Sequence, residues 1–206
     1  VALDLAGHGE SGMGRQAWTI EAFGGDVAAV VEELGLDRVV LVGHSMGGNV
    51  ILEAARRLPG RVDGLVWIDA HRQLGSALTP EEIAATIAPF RAEFAETTRS
   101  FVRGMFPPGA DESLVERVAA DMSSAPPAVA LSAGASELAY GGRVAATLRE
   151  LNLPIVSISA EYPPPDVESL ERHGVEVVVM PGVGHFPMLE NPRRFNAVLR
   201  LSLIHI

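Results

Sequence analysis

Gly43-His-Ser-Met-Gly47 places a serine between glycines. It stands directly after the β-branched run Val39-Val-Leu-Val42 and just before a stretch of helical periodicity, Asn49 to Leu58. A serine hydroxyl held on a sharp strand-to-helix turn can attack a carbonyl carbon, and the helix that follows turns its first amides toward the developing negative charge. The amide of Met46, the residue after the serine, is the expected donor to that oxyanion. A serine is a poor nucleophile without a base. Of the six histidines, His44 flanks the serine and points away from it, His173 precedes a turn glycine and His205 lies in the last residues. His185, in Pro181-Gly-Val-Gly-His-Phe-Pro187, follows the run Val175 to Met180 on a glycine-containing loop, from which it can reach over the end of a sheet. Ser45 and His185 therefore form a candidate nucleophile and base.

These residues need a scaffold, and the pattern around them describes one. The runs Val39 to Val42, Val62 to Ile68, Ile155 to Ser159 and Val175 to Met180 are continuously apolar rather than alternating, as strands covered on both faces are. Helical segments lie between them. Thr19 to Leu34 opens with a capping signal and stops at Gly35; Asn49 to Leu58 is closed by Pro59-Gly60. The alternation predicts an α/β fold with a mostly parallel sheet and flanking helices. From about Gln73 to Leu148 the strand signals vanish. Thr79-Pro-Glu-Glu82 starts a helix there, and Phe90, Phe94, Phe101, Met105 and Phe106 recur at near-helical spacing. That region is expected to be an inserted helical cap. The expected division is 1–72 and 149–200 for the core, with 73–148 as cap.

The charge balance excludes some functions. A formal net charge of -10 argues against nucleic acid and anionic membrane surfaces as partners. The chain has no cysteine, so thiolate chemistry and disulfides are absent, and no apolar run is long enough to span a membrane. No signal peptide is visible, which fits a cytoplasmic location. Val1 to Asp4 reads as the end of a strand already begun. The six residues 201–206 break the amphipathic pattern before them and read as a translated sequencing adapter, a non-native tail.

Three segments together, Asp4-Leu-Ala-Gly-His-Gly-Glu-Ser11, Gly43 to Gly48 and Gly182 to Pro192, resemble the α/β-hydrolase fold superfamily in order and spacing. The resemblance spans the chain apart from the cap. It implies a serine hydrolase acting on a small carboxylic ester or lactone through an acyl-enzyme, with no metal and no organic cofactor. A C–C bond hydrolase of the same fold, or a non-catalytic ligand-binding member, would carry the same residues. His8 would be structural, and Asn191-Pro192 would start the helix after the histidine. A second oxyanion donor is expected from a loop that would precede Val1.

The resemblance leaves the acid of the triad open. Members usually carry it after the strand that follows the cap, where this chain reads Ile158-Ser-Ala-Glu-Tyr-Pro-Pro-Pro-Asp166. Glu161 is slightly early there and Asp166 slightly late. Other members carry the acid one strand earlier, and Asp69, in Val66-Trp-Ile-Asp-Ala70, stands at that strand's end. His71, two residues on, would line the pocket or begin the cap.

Overall fold

In a computed structural model, which describes residues 1–75 and 77–206, the four apolar runs become four parallel strands in the order β1-β2-β3-β4. They are β1 (Val39–His44), β2 (Val62–Ile68), β3 (Ile155–Ala160) and β4 (Val175–Met180). Every residue of β3 is buried, and β2 is buried from Gly64 onward. This is the double coverage that the unbroken apolar runs require. β1 is one of the two edge strands and keeps Val42 exposed.

The two faces are covered by different helices. On one, α1 (Ile20–Glu33) and α2 (Met46–Arg57) pack Ile20, Phe23, Val50 and Leu52 against Leu65 and Trp67 of β2. On the other, Phe195 of α10 (Pro192–His205) meets Val66, Ile68, Ile158 and Met180. Each fully buried large side chain of this kind contributes about 1.5–3 kcal/mol. α1 begins where its capping signal lies: the Thr19 hydroxyl accepts the Ala22 amide at 3.2 Å. α10 continues through residues 201–205, the segment expected to be a tail, and Ser202 is buried in it.

Between β2 and β3 the described residues form only helices. They are α3 (Pro80–Ala92), α4 (Phe94–Arg103), α5 (Glu112–Ser123), α6 (Pro127–Tyr140) and α7 (Val144–Leu151), with a short 3-10 turn before α7. α3 starts in a full capping box between Thr79 and Glu82, with Pro80 in the first turn. α4, α5 and the segment between them carry a separate apolar cluster, Val102, Phe106, Leu114, Val115, Val118 and Ala119, which also takes in Phe186. Two short helices complete the chain, α8 (Val167–Glu171) and α9 (Pro187–Glu190).

One local expectation is corrected. Val1 to Asp4 forms no strand; Val1 is 98% exposed. Only the loop after these residues is fastened, by the Asp4 carboxylate accepting the Glu10 amide and the Asp4 carbonyl accepting the Ser11 hydroxyl. A strand needs a partner for its amides, and here β1 pairs on its β2 side alone.

Candidate active site

The C-terminal ends of the strands converge, and this is the end at which open α/β sheets form their sites. His44 pairs with Ile68 in the β1–β2 register, and the Ser45 amide donates to the Ile68 carbonyl at 3.0 Å. Asp69 follows Ile68, so Ser45 and Asp69 leave adjacent strands side by side. The backbone is forced at both positions. Ser45 has φ 51° and ψ -123°, and Asp69 has φ 43°, regions that side-chain-bearing residues seldom occupy. The turn at Ser45 is tight enough that a Cβ on Gly43 would collide with the Gly47 carbonyl. Met46 is the first residue of α2, so its amide has no acceptor within the helix.

His185 comes from the loop after β4 and is 8% exposed. Its Nδ1–H donates to Asp69 Oδ2 at 2.6 Å, while the other carboxylate oxygen of Asp69 accepts the Ala160 amide at 2.9 Å. The Asp69 backbone is anchored too, its amide donating to the Ile158 carbonyl. Burial pushes the Asp69 carboxyl up, but the hydrogen bonds from His185 and Ala160 outweigh it and hold the group below the ordinary aspartate value. His185 lies directly against the residue before Ser45. His44 Nε2 donates to the His185 carbonyl at 2.7 Å, and the two rings are 4.6 Å apart. Burial, helped by the charge of His185, lowers His44 to about 4, so it is a neutral donor at ordinary pH.

The three candidate acids separate. Of the three, Asp69 alone bonds the His185 ring. Glu161, offered by the sequence as an alternative, is corrected: its Oε2 accepts the Gly182 amide at 2.8 Å, where it braces the start of the histidine loop. Asp166 caps α8 by accepting the Ser169 amide at 2.9 Å. The extra methylene of Glu161 turns toward its own loop because β3 and β4 pair through Ala160 and Met180, which sets Glu161 beside that loop's backbone.

Glu190 is a residue whose part the sequence did not disclose. One of its carboxylate oxygens accepts the Gly184 amide at 2.8 Å and the other the Phe186 amide at 3.0 Å, so it clamps the backbone on both sides of His185. The loop is also tied to the helical region: the His185 amide donates to the Met105 carbonyl at 3.0 Å. That approach requires Gly184, since a Cβ there would strike the Met105 carbonyl. The aromatics of the helical region divide. Phe106 stacks on Phe186 next to the histidine loop, whereas Phe101 is half exposed and meets Phe90 edge-on. His71 packs on Trp67 at 4.6 Å, and burial lowers it to about 4. His8 Nδ1 lies 3.2 Å from the Ala6 carbonyl and its ring is edge-on to Phe23, a local structural contact. Among the described residues no cluster of acids and histidines could hold a metal ion, and no helix is long and apolar enough to cross a membrane.

A strand-end serine in a strained turn, with a histidine–aspartate pair beside it, defines a class of protein. The model of the Alpha/beta hydrolase family matches residues 1–198, and the chain belongs to that family. The fold superposes on a thermophilic esterase from Thermogutta terrifontis with a TM-score of 0.81 at 26% identity, over 98% of this chain and 78% of the other. Lipase LipV of Mycobacterium tuberculosis is 35% identical over 125 residues, 58% of this chain and 48% of the lipase. A carbendazim hydrolyzing esterase of Nocardioides sp. is 36% identical over 112 residues, 45% of this chain and 46% of the esterase. Other mycobacterial relatives match at 36% identity over 70 residues, and the chain spans only 20% of their length.

Proposed function

We propose that this protein is a serine hydrolase that cleaves a small carboxylic ester or lactone through an acyl-enzyme. The observation that carries the reading is the 2.6 Å bond between His185 Nδ1 and Asp69 Oδ2, made beside the strained turn of Ser45. With Nδ1–H committed to the carboxylate, Nε2 is the basic nitrogen. In this reading the Ser45 hydroxyl attacks the acyl carbonyl while His185 Nε2 takes its proton. Asp69 holds the ring and stabilises the imidazolium. The Met46 amide donates to the oxyanion as the tetrahedral intermediate forms. Collapse expels the alcohol, which leaves with the proton from Nε2. Water, deprotonated by the same nitrogen, then attacks the acyl carbon and frees Ser45 and the acid.

Kinship with proteins named as esterases and a lipase supports ester hydrolysis. A solved structure described as an N-acyl homoserine lactone degrading enzyme, 25% identical over 96% of this chain with a TM-score of 0.76, supports including lactones. The test is a panel of p-nitrophenyl esters of increasing acyl length, with wild type and Ser45→Ala compared. Wild-type turnover with a loss of at least ~10³-fold in the variant is expected. Equal hydrolysis by both proteins would remove Ser45 from the mechanism.

A further inference from the structure

His44 ends β1, where it pairs with Ile68, and the amide of the next residue, Ser45, donates to the Ile68 carbonyl at 3.0 Å. From that anchored position its ring reaches the loop after β4. Nε2 lies 2.7 Å from the carbonyl oxygen of His185. A carbonyl can only accept, so Nε2 carries the proton and donates. The ring also lies against two others, with centroids 4.6 Å from the His185 ring and 5.5 Å from that of Phe186.

His185 is held at its ring and along its backbone, by different parts of the chain. Asp69 takes the ring, the Met105 carbonyl takes the amide, and Glu190 takes the amides on either side. The His185 carbonyl is left to His44, its one hydrogen-bond partner among the described residues. Of the four residues that grip the base, His44 is the one joined to Ser45 by a peptide bond. A carbonyl shielded from water and deprived of its donor is costly, so without His44 the loop gains by turning that group elsewhere. Burial lowers His44 to about 4 and keeps it neutral at ordinary pH. The donor therefore sets no second positive charge beside the imidazolium that His185 becomes.

We propose that His44 is a positioning residue for the reaction: its Nε2–H bond to the His185 carbonyl sets the separation of the base from the nucleophile, Ser45. Its part is to place the base, not to move a proton. The proposal rests on Ser45 and His185 acting as nucleophile and base, and the experiment separates the two.

The measurement is kcat and KM on one activated ester for wild type, His44→Gln, His44→Asn and His44→Phe. Gln carries its amide nitrogen as many bonds from the backbone as Nε2, Asn carries it one bond short, and Phe keeps the ring without a donor. Misplacing a catalytic group by ~1 Å costs on the order of 10²-fold. The Asn and Phe variants should therefore lose ~10–100-fold in kcat with KM changed less than about threefold, and Gln should recover most of the loss. Equal kcat in the Gln and Asn variants, or a loss confined to KM, overturns the proposal. If His44→Phe does not fold, the Gln and Asn pair decides. If wild type turns over no ester, the hydrolytic reading fails separately, and proton NMR of the His185 Nδ1–H, far downfield of the amides, decides the positioning. A line sharp in wild type and His44→Gln but lost to exchange in His44→Asn supports it. A line equal in all three proteins, or absent from wild type, rejects it.

Discussion

Asp69 and His185, 116 residues apart in the chain, meet through a 2.6 Å bond at the open end of the sheet, and both side chains are almost fully shielded from water. The bond fixes which imidazole nitrogen is left for chemistry. The aspartate stands in a backbone conformation, φ 43°, that it would not choose alone. The partner that keeps it there is the sheet itself, through the Ile158 carbonyl and the Ala160 amide.

The first prediction separates the acids. Asp69→Asn preserves the shape but reverses the hydrogen-bonding logic at His185, so kcat should fall by ~10³–10⁴. Glu161→Gln removes a charge from a loop brace and keeps an acceptor for Gly182, so kcat should change less than about threefold. Steady-state kinetics on one activated ester measure both. Equal losses in the two variants would contradict the assignment.

Strain at the elbow gives a prediction of opposite sign for stability and activity. A residue at φ 51°, ψ -123° stores on the order of 1–3 kcal/mol. Glycine adopts that conformation freely but loses about 0.5–1 kcal/mol in backbone entropy. Ser45→Gly should therefore raise Tm by ~2–4 °C while abolishing turnover. Calorimetry checks it, and an unchanged or lower Tm would mean that the turn is not strained.

Glu190 should matter although it touches no reacting atom. Glu190→Ala leaves the buried amides of Gly184 and Phe186 without acceptors, at about 1–3 kcal/mol each. Tm should drop by several degrees and kcat by on the order of tenfold as the histidine loop loosens. Glu190→Gln, with one acceptor left, should fall between the two. A Glu190→Ala protein with wild-type Tm would rule out the clamp.

Acid should unfold the protein partly through its histidines. His44 and His71 titrate near 4 when folded against 6.5 when free, so the unfolded chain binds protons that the folded chain refuses between those values. Stability should be flat above about pH 6.5 and fall toward pH 4, each histidine accounting for up to about 3 kcal/mol. Asp69, depressed in the fold, adds its share lower down: it stabilises above the free aspartate value, and that share is lost as pH falls through the folded value. His71→Phe, which can still pack on Trp67, should remove about half of the slope between pH 6.5 and 4 in denaturant titrations. An unaltered slope would exclude His71 from the effect.

The legible parts of the chain were those whose signal is local. β2 and β4 begin and end where their unbroken apolar runs do, and α1 starts at the hydroxyl of Thr19. α2 begins at Met46, three residues before its periodicity suggests, because the helix starts from a turn pinned to β2 and needs no propensity at Gly47 and Gly48. The choice among Asp69, Glu161 and Asp166 was not legible. It depends on strand register, which brings the Ala160 amide opposite Asp69 and leaves Glu161 beside Gly182. The grip of Glu190 on two amides likewise depends on how the loop closes, which no spacing reveals.

The central claim is that Ser45 forms a covalent acyl-enzyme, and the most direct measurement is intact and peptide mass spectrometry after reaction with a fluorophosphonate ester. The account predicts one phosphonyl group per chain, located on the peptide that contains Ser45, with labelling slowed by at least ~10²-fold in Asp69→Asn and absent in Ser45→Ala. A label on another residue, or equal labelling of wild type and Ser45→Ala, would contradict it.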